Sequence, residues 1–341
     1  MTTIFIDPYT LAYPSENDSK TSEDLEYYLE NILSWRDLRD IHWAEMFISK
    51  KASDILIEYN NYPYWDNLKA TLIKTGLNEF YQARDIIDVV DGLLQLRSIE
   101  EKLDLIDVLF DDVEVAPDDY LEPRPTVYTD EFKRILVLMA LDSHLNLEND
   151  NLLISRDIEH NRISVKSEIQ VCEFNDEKNA LSFPLLLERD FTSCIHISDL
   201  LLNISPIILW KKSKMKSEYT EILKIFIYQR LAKMGQDPDI IPQWKFGREF
   251  LNSCRSLGFL HQESKINSLL RACADTIISQ NLNSVHALRI NESGNSPQIS
   301  RNEDKAWRRD IDYEYHLHYW QTIDGPELAS VVVHNDMVIP A

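Results

Sequence analysis

Glycine is scarce: the 341 residues contain seven, none between Gly92 and Gly235. Neither GxGxxG nor GxxxxGK[ST] can therefore be written, which excludes the two commonest glycine-rich phosphate cradles. The four cysteines, Cys172, Cys194, Cys254 and Cys273, are isolated and form no CxxC pair. That spacing excludes knuckle and ribbon zinc sites and points to reduced, structural thiols. Long apolar runs are missing too. The longest, such as 135–141 and 204–210, fall far short of the roughly 20 residues that cross a bilayer. Met1 leads into a strand-like segment without a basic or apolar leader, so a cytoplasmic chain without membrane association is expected. No GxSxG elbow, HExxH helix or EF-hand loop occurs.

Basic charge is the next deficit, with 35 Lys and Arg against 57 Asp and Glu, a formal charge of -22. Such a balance opposes non-specific attraction to a phosphate backbone and excludes a uniformly basic nucleic-acid coat. The imbalance is unevenly spread. Residues 1–150 carry 32 acids and 13 bases, whereas residues 205–275 carry 12 bases and 7 acids. This asymmetry suggests two functional halves, the basic part facing an anionic partner or the acidic half itself. Hydrophobic residues at 44% and charged residues at 27% are ordinary for a globular chain.

Residues 2–6 read as a β-branched, aromatic strand ending at Asp7-Pro8. Helical periodicity follows through Leu25, Tyr28, Leu29 and Ile32, again over 78–96, and 103–110 is read as continuing the helical layer. A proline-punctuated loop at 111–129 precedes an apolar helix at 130–147 and strands at 152–154 and 163–174. Segments 215–234, 244–257 and 262–280 predict further helices, and polar residues 291–302 a loop. Residues 313–322 and 327–333 flank Asp324-Gly325 as a hairpin. The expected fold is α+β or α/β, predominantly helical, with a small N-terminal sheet and a C-terminal β-hairpin. Two domains are expected: an acidic α/β domain with a helical insertion over 1–175, and a helical domain ending in the hairpin over 176–341.

Carboxylates lie beside the predicted strands: Asp7 after Ile4-Phe5-Ile6, Asp54 within 48–56, and Asp157 after Leu152-Leu153-Ile154-Ser155-Arg156. Acids converging on one sheet edge would hold a hard cation and activate water against a phosphodiester. An apolar strand ending in Asp, a middle acid, and a late strand ending in Ser-Arg-Asp resemble the PIN-like nuclease family over residues 1–160. The resemblance implies Asp7, Asp54, Asp130 and Asp157 as catalytic acids, with Asp7, Asp54 and Asp157 binding Mg2+ or Mn2+. It departs from the family in the long insertion at 59–128 and in Pro8 directly after Asp7.

A second constellation is C-terminal. Trp307, Arg308, Arg309, Tyr315, His316, His318, Tyr319 and Trp320 concentrate aromatic, Arg and His side chains. His316 and His318 share a strand face by the period of two. A two-residue Asp324-Gly325 turn pairs position 316 with 333 and sends His334 to the opposite face; a three-residue loop would pair 316 with 334. With Arg289 and Arg301, the residues Arg308, Arg309, His316 and His318 form a candidate nucleic-acid site through charge-assisted contacts and base stacking. The alternative is an edge hairpin packed on the helices. Lys211, Lys212, Lys214 and Lys216 read as an exposed linker, and the acids from Asp85 to Asp112 as a solvated face or a dock for a basic partner.

Two classes of function remain open on the sequence. One is a metal-dependent nuclease acting on RNA or DNA in a bacterial defence or toxin-like setting. The other is a non-catalytic acidic subunit or adaptor that binds protein or nucleic acid.

Overall fold

Five β-branched and aromatic residues, Thr2–Ile6, form strand β1, buried along its whole length as befits a strand covered on both faces. The computed structural model describes residues 2–14, 22–36, 38, 41, 43–122, 124–147, 151–156, 161–175, 181–291 and 296–341. In it, β1 is paired in parallel by β2 (Ala44–Ile48) and β5 (Asn151–Ile154), and β5 by β7 (Leu185–Cys194). Beyond β7 the sheet turns antiparallel through β6 (Arg162–Phe174), which carries β3 (Leu105–Phe110) and β4 (Glu114–Ala116). The order is β2-β1-β5-β7-β6-β3, with β4 also on β6. In β6 the buried Ile163, Val165, Ser167 and Ile169 alternate with less buried neighbours, the pattern of a sheet with one covered face.

Helices α1 (Ser22–Arg36), α2 (Ala52–Glu58), α3 (Trp65–Thr75), α4 (Ala83–Leu94) and α5 (Ile99–Leu103) surround these strands. In α4, Ile86, Val89, Val90 and Leu93 form the buried stripe while Asp85 and Asp88 face water. Helix α6 (Thr126–Leu145) is different: residues 135–142 are all buried, and Phe132, Ile135, Leu136 and Met139 pack with Phe5, Phe47 and Leu153. Each such side chain contributes about 1.5–3 kcal/mol of transfer free energy. Two acids buried on α6 are compensated, Glu131 by Ser49 and Arg134, and Asp142 by Lys102 and Asn151. Helix α7 (Ile197–Asn203) closes this part of the chain.

The chain divides into two compact units, Met1–Asn203 and Ile204–Ala341. The second contains α8 (Pro206–Lys212), α9 (Lys216–Lys233), β8 (Lys245–Phe246), α10 (Phe250–Ser256) and α11 (Glu263–Ile277). These are followed by β9 (Val285–Ala287), β10 (Ser300–Arg301), β11 (Asp304–Asp310), β12 (Tyr315–Thr322) and β13 (Gly325–Val333). The sheet order is β10-β11-β12-β13-β8, with β9 on the outer side of β11. Helix α11 packs on β11, β12 and β13, and α10 on β13. Counted by unit, the first has 18 bases against 41 acids and the second 17 against 16. All of the net negative charge therefore belongs to the first unit, and the second is marginally positive.

Several expectations need correction. The protein is not predominantly helical with a small sheet and a hairpin: two mixed sheets, of seven and six strands, organise it. Residues 105–110, expected to continue a helical layer, form β3, because pairing with β6 overrides a local pattern of apolar and acidic residues that fits either period. The hairpin is real but is two strands of six: β8, β9 and β10 have too few residues to show a period, and the seven residues of β11 are charge-rich, with only Ala306 and Arg309 buried. The division of the chain lies after Asn203 rather than after residue 175, since β7 inserts between β5 and β6 and belongs to the first sheet. Among the described residues no helix is long and apolar enough to cross a membrane.

Candidate functional site

The carboxyl ends of β2, β1 and β5 bring Ser49, Asp7 and Ser155 to one edge of the parallel part of the first sheet, where ligands of open α/β sheets usually sit. Asp7 is 1% exposed. Its Oδ1 accepts the Tyr9 N–H at 3.1 Å, and its Oδ2 accepts the Ser155 hydroxyl at 2.8 Å and ion-pairs with Arg124. Arg124 also donates to Ser155 Oγ (2.7 Å) and the Tyr120 carbonyl (2.9 Å), and its guanidinium lies 4.0 Å from the Phe132 ring centroid. The pair ties β1, β5 and the approach to α6 together.

This arrangement does not suit a divalent ion. A hard cation needs carboxylate oxygens directed at it, with excess negative charge around it. Both Asp7 oxygens are engaged, and the nearest charge is a buried guanidinium. Asp54 stands exposed in the first turn of α2, and Asp130 is exposed on α6, lining a cleft of about 880 Å³ with Asp111, Asp112, Glu114, Lys133 and Glu168. Asp157 lies outside the described residues. Among the described residues no group of three or more His, Cys, Asp or Glu is placed to hold a metal. Of the acids carried over from the family pattern, the described Asp54 and Asp130 are exposed on their helices while Asp7 is buried against Arg124. The acid-rich segment is partly structural: Glu100 is buried against Arg134 and the Lys50 N–H, Glu101 completes a capping box with Ser98, and Asp91 accepts from the Tyr62 hydroxyl.

The second unit gathers more. Arg308 on β11 stands opposite His286 of β9 on one side and His318 of β12 on the other, and Asp310 stands opposite His316. Cross-strand partners share a face, so these side chains form one patch. His316 pairs with Val332 of β13, and the His334 N–H continues the ladder to the Glu314 carbonyl. His334 therefore lies on the face of His316, with ring centroids 4.5 Å apart. This corrects the expectation that the turn sends His334 away. The turn residues are Ile323 and Asp324, with Thr322 paired to Gly325, and a bulge then leaves Ala329 unpaired and shifts the register by one.

Asp310 organises the histidines. His316 Nε2 is 3.1 Å from Asp310 Oδ1 and His286 Nε2 is 3.7 Å from Oδ2. Burial pushes the pKa of His316 below its ordinary value, against the opposing pull of Asp310. Its Nε2 faces the carboxylate, and Nδ1 has no hydrogen-bond partner among the described residues. His318 is buried and its pKa is pushed down to about 4 by desolvation. Its Nδ1–H donates to the Val338 carbonyl at 3.0 Å, and Trp320 Nε1 donates to the Pro340 carbonyl at 2.8 Å, so both tie the C-terminal segment across this face.

Where that segment stops covering the sheet, a cleft of about 570 Å³ opens, lined by His286, Arg289, Asn291, Arg308, His334 and Asn335 over Val285, Ala287 and Met337. Arg308 has no ion pair among the described residues; its Nη1 lies 3.8 Å from the Met337 sulfur, and its Nε is buried without a hydrogen-bond partner. Arg289 donates to the Ser296 carbonyl at 2.5 Å. Residues 292–295, within the segment expected to be a loop, lie outside the described residues.

Of the expected nucleic-acid residues, Arg289 and Arg308 line this cleft and His316 stands behind it. Arg301 instead ion-pairs with Asp304 and Glu327 at 3.0 and 2.8 Å and stacks over Trp320. Arg309 points to the other face, where it donates to the carbonyls of Asp275, Gln280 and Asn281 and clamps the end of α11. His318 is structural. His286 and Asp310 carry no sequence signal of their own: only the pairing of the three-residue β9 with β11 places His286 beside Arg308. Lys211 pairs with Glu263, and Lys216 donates to the Phe246 carbonyl, so the lysine stretch is partly engaged within its own unit.

No protein-family model matches the chain, and searches of curated proteins and of solved structures return no similar protein.

Proposed function

We propose that the protein is a non-catalytic subunit that binds nucleic acid through the cleft of its second unit, with the acidic first unit as the platform for a protein partner. The observation that carries the reading is Arg308, a guanidinium without a carboxylate partner among the described residues, opening with Arg289, His286 and His334 into one cleft. Arginine without an internal counter-ion is suited to grip phosphate oxygens through its fork of N–H donors. The unit that holds it is nearly neutral, so a phosphate chain approaches it without the repulsion that the first unit exerts. Against a metal-dependent nuclease stands the Asp7–Arg124 pair, which leaves the first acid of the family pattern without a free oxygen.

The test is direct. Labelled single-stranded RNA and DNA are titrated with the whole chain, and with its Arg308→Ala and Arg289→Ala variants, by fluorescence anisotropy. Binding weakened about tenfold by each substitution supports the reading. Strand cleavage in Mn2+ or Mg2+ that disappears in Asp7→Asn would overturn it in favour of the nuclease.

A further inference from the structure

We propose that the cleft between β9, β11 and the chain following β13 is a phosphomonoester site, built to hold the phosphorylated end of a nucleic-acid strand. Arg308 and Arg289 grip the phosphoryl oxygens, and His286 and His334 supply the remaining donors.

Three features of the cleft lead to this chemistry. Arg308 projects from a strand, not a loop, with His286 directly across the ladder, so both donors are positioned before any ligand arrives. Its Nε is buried without a hydrogen-bond partner, and no carboxylate among the described residues pairs with the guanidinium, so its charge is not neutralised within them. The charges fit as well. The lining holds two guanidiniums and no carboxylate, and Asp310 is paired with His286 and His316. A phosphomonoester carries close to two negative charges at neutral pH, whereas an internal phosphodiester carries one, so two arginines discriminate in favour of the chain end.

The size agrees with more than a bare anion. About 570 Å³ lies within the range of small-ligand pockets and leaves room beyond a phosphoryl group for a sugar and part of a base. Val285, Ala287 and Met337 offer apolar surface to that part. His316, behind His334, accepts no ligand in this scheme: its Nε2 lies 3.1 Å from Asp310 Oδ1, and its ring is the surface against which His334 rests.

The identity of the phosphate's carrier rests on the nucleic-acid reading above; the phosphomonoester chemistry does not. The experiment compares, by anisotropy and calorimetry on the full chain, a 3′-labelled 12-nucleotide strand with a 5′-phosphate, the same strand with a 5′-hydroxyl, and adenosine 5′-monophosphate. The expected result is binding of the phosphorylated strand about tenfold tighter than the hydroxyl strand, a difference abolished in Arg308→Ala and Arg289→Ala and kept in Lys305→Ala. Equal binding of the two strands, weakened alike by Arg308→Ala, overturns the end-specific site while the nucleic-acid reading stands. Binding of the monophosphate alone, dependent on Arg308, supports the phosphomonoester site and overturns the nucleic-acid reading. No Arg308-dependent binding of any probe overturns both. If Arg308→Ala does not fold, Arg308→Lys and His334→Gln carry the same comparison, with thermal melting as the fold control.

Discussion

The rings of His316 and His334 meet at 4.5 Å between centroids, tilted by 45°, because a single unpaired residue, Ala329, separates two registers of the β12–β13 hairpin. From the turn to Tyr319 the strands pair in one register, and from His318 onward in the next. Since successive side chains alternate faces, a shift of one residue decides on which side of the sheet His334 emerges. The cleft that holds Arg308 and His286 exists with its fourth donor only because of that bulge. A strand interruption beside a candidate site is where such a feature is expected to re-aim a side chain.

The salt dependence of nucleic-acid binding should report the cleft. Each phosphate contact contributes a counter-ion release term, so Arg308→Ala is expected to lower the magnitude of the slope of log K against log salt by about 1 as well as weakening binding at fixed salt. Anisotropy titrations from low to moderate KCl measure both. An unchanged slope would place the contact elsewhere.

Removing Arg124 should be among the most damaging single changes in the first unit. Arg124→Ala strands the Asp7 carboxylate in a site 1% exposed, a loss of about 3–5 kcal/mol by comparison with other broken buried pairs. Asp7→Asn keeps an acceptor for Tyr9 and Ser155 and is expected to cost less. Urea denaturation of Asp7→Ala, Arg124→Ala and the double variant Asp7→Ala/Arg124→Ala gives the coupling, which is expected to be strongly non-additive. Additive losses would contradict the structural role assigned to the pair.

Acid should loosen the second unit through His318. Its pKa falls from an ordinary 6.5 to about 4 on folding, with desolvation as the largest cause. Above pH 6.5 the ring is neutral in both states and the contribution is complete. Between 6.5 and 4 the unfolded chain binds a proton that the folded chain refuses, so stability declines as pH falls, by about 2–3 kcal/mol at pH 4.5. His316 shifts the same way. Urea midpoints at pH 7 and 4.5 should converge in His318→Gln relative to the parent chain.

Two glycines of positive φ separate backbone preference from steric demand. Gly76 ends α3 at φ 76°, and nothing lies within 4 Å of where a β-carbon would stand, so Gly76→Ala should cost about 1 kcal/mol, the left-handed penalty alone. Gly325 opens β13 at φ 122°, where a β-carbon would lie 2.0 Å from the Gln243 carbonyl oxygen. Gly325→Ala adds a backbone clash to the strain and should cost about 3 kcal/mol or more. Thermal melts of the two variants provide the comparison.

Much of the local structure is legible in the sequence. The apolar spacing of α1, α4, α6, α9 and α11 and the β-branched run of β1 each state their element, because burial of one face imposes the period. The charge asymmetry between the two units is visible in the same way, since net charge is a sum over residues and needs no coordinates. Segment 105–110 defeats such a reading because its acids and apolar residues satisfy two periods, and pairing with β6 makes the choice.

The candidate site is legible only in part. Sequence alone determined that Arg, His and aromatic residues crowd the C-terminal strands, and that an acid ends the first strand. Tertiary structure decided which of these could meet a ligand. Asp7 closed on Arg124, 117 positions away; Arg309 turned inward to cap carbonyls beyond α11; and His286 came from a separate short strand to stand by Arg308. Composition records which charges a chain carries, but whether a charge is neutralised inside the fold or left facing a cleft depends on register and packing between residues far apart in sequence.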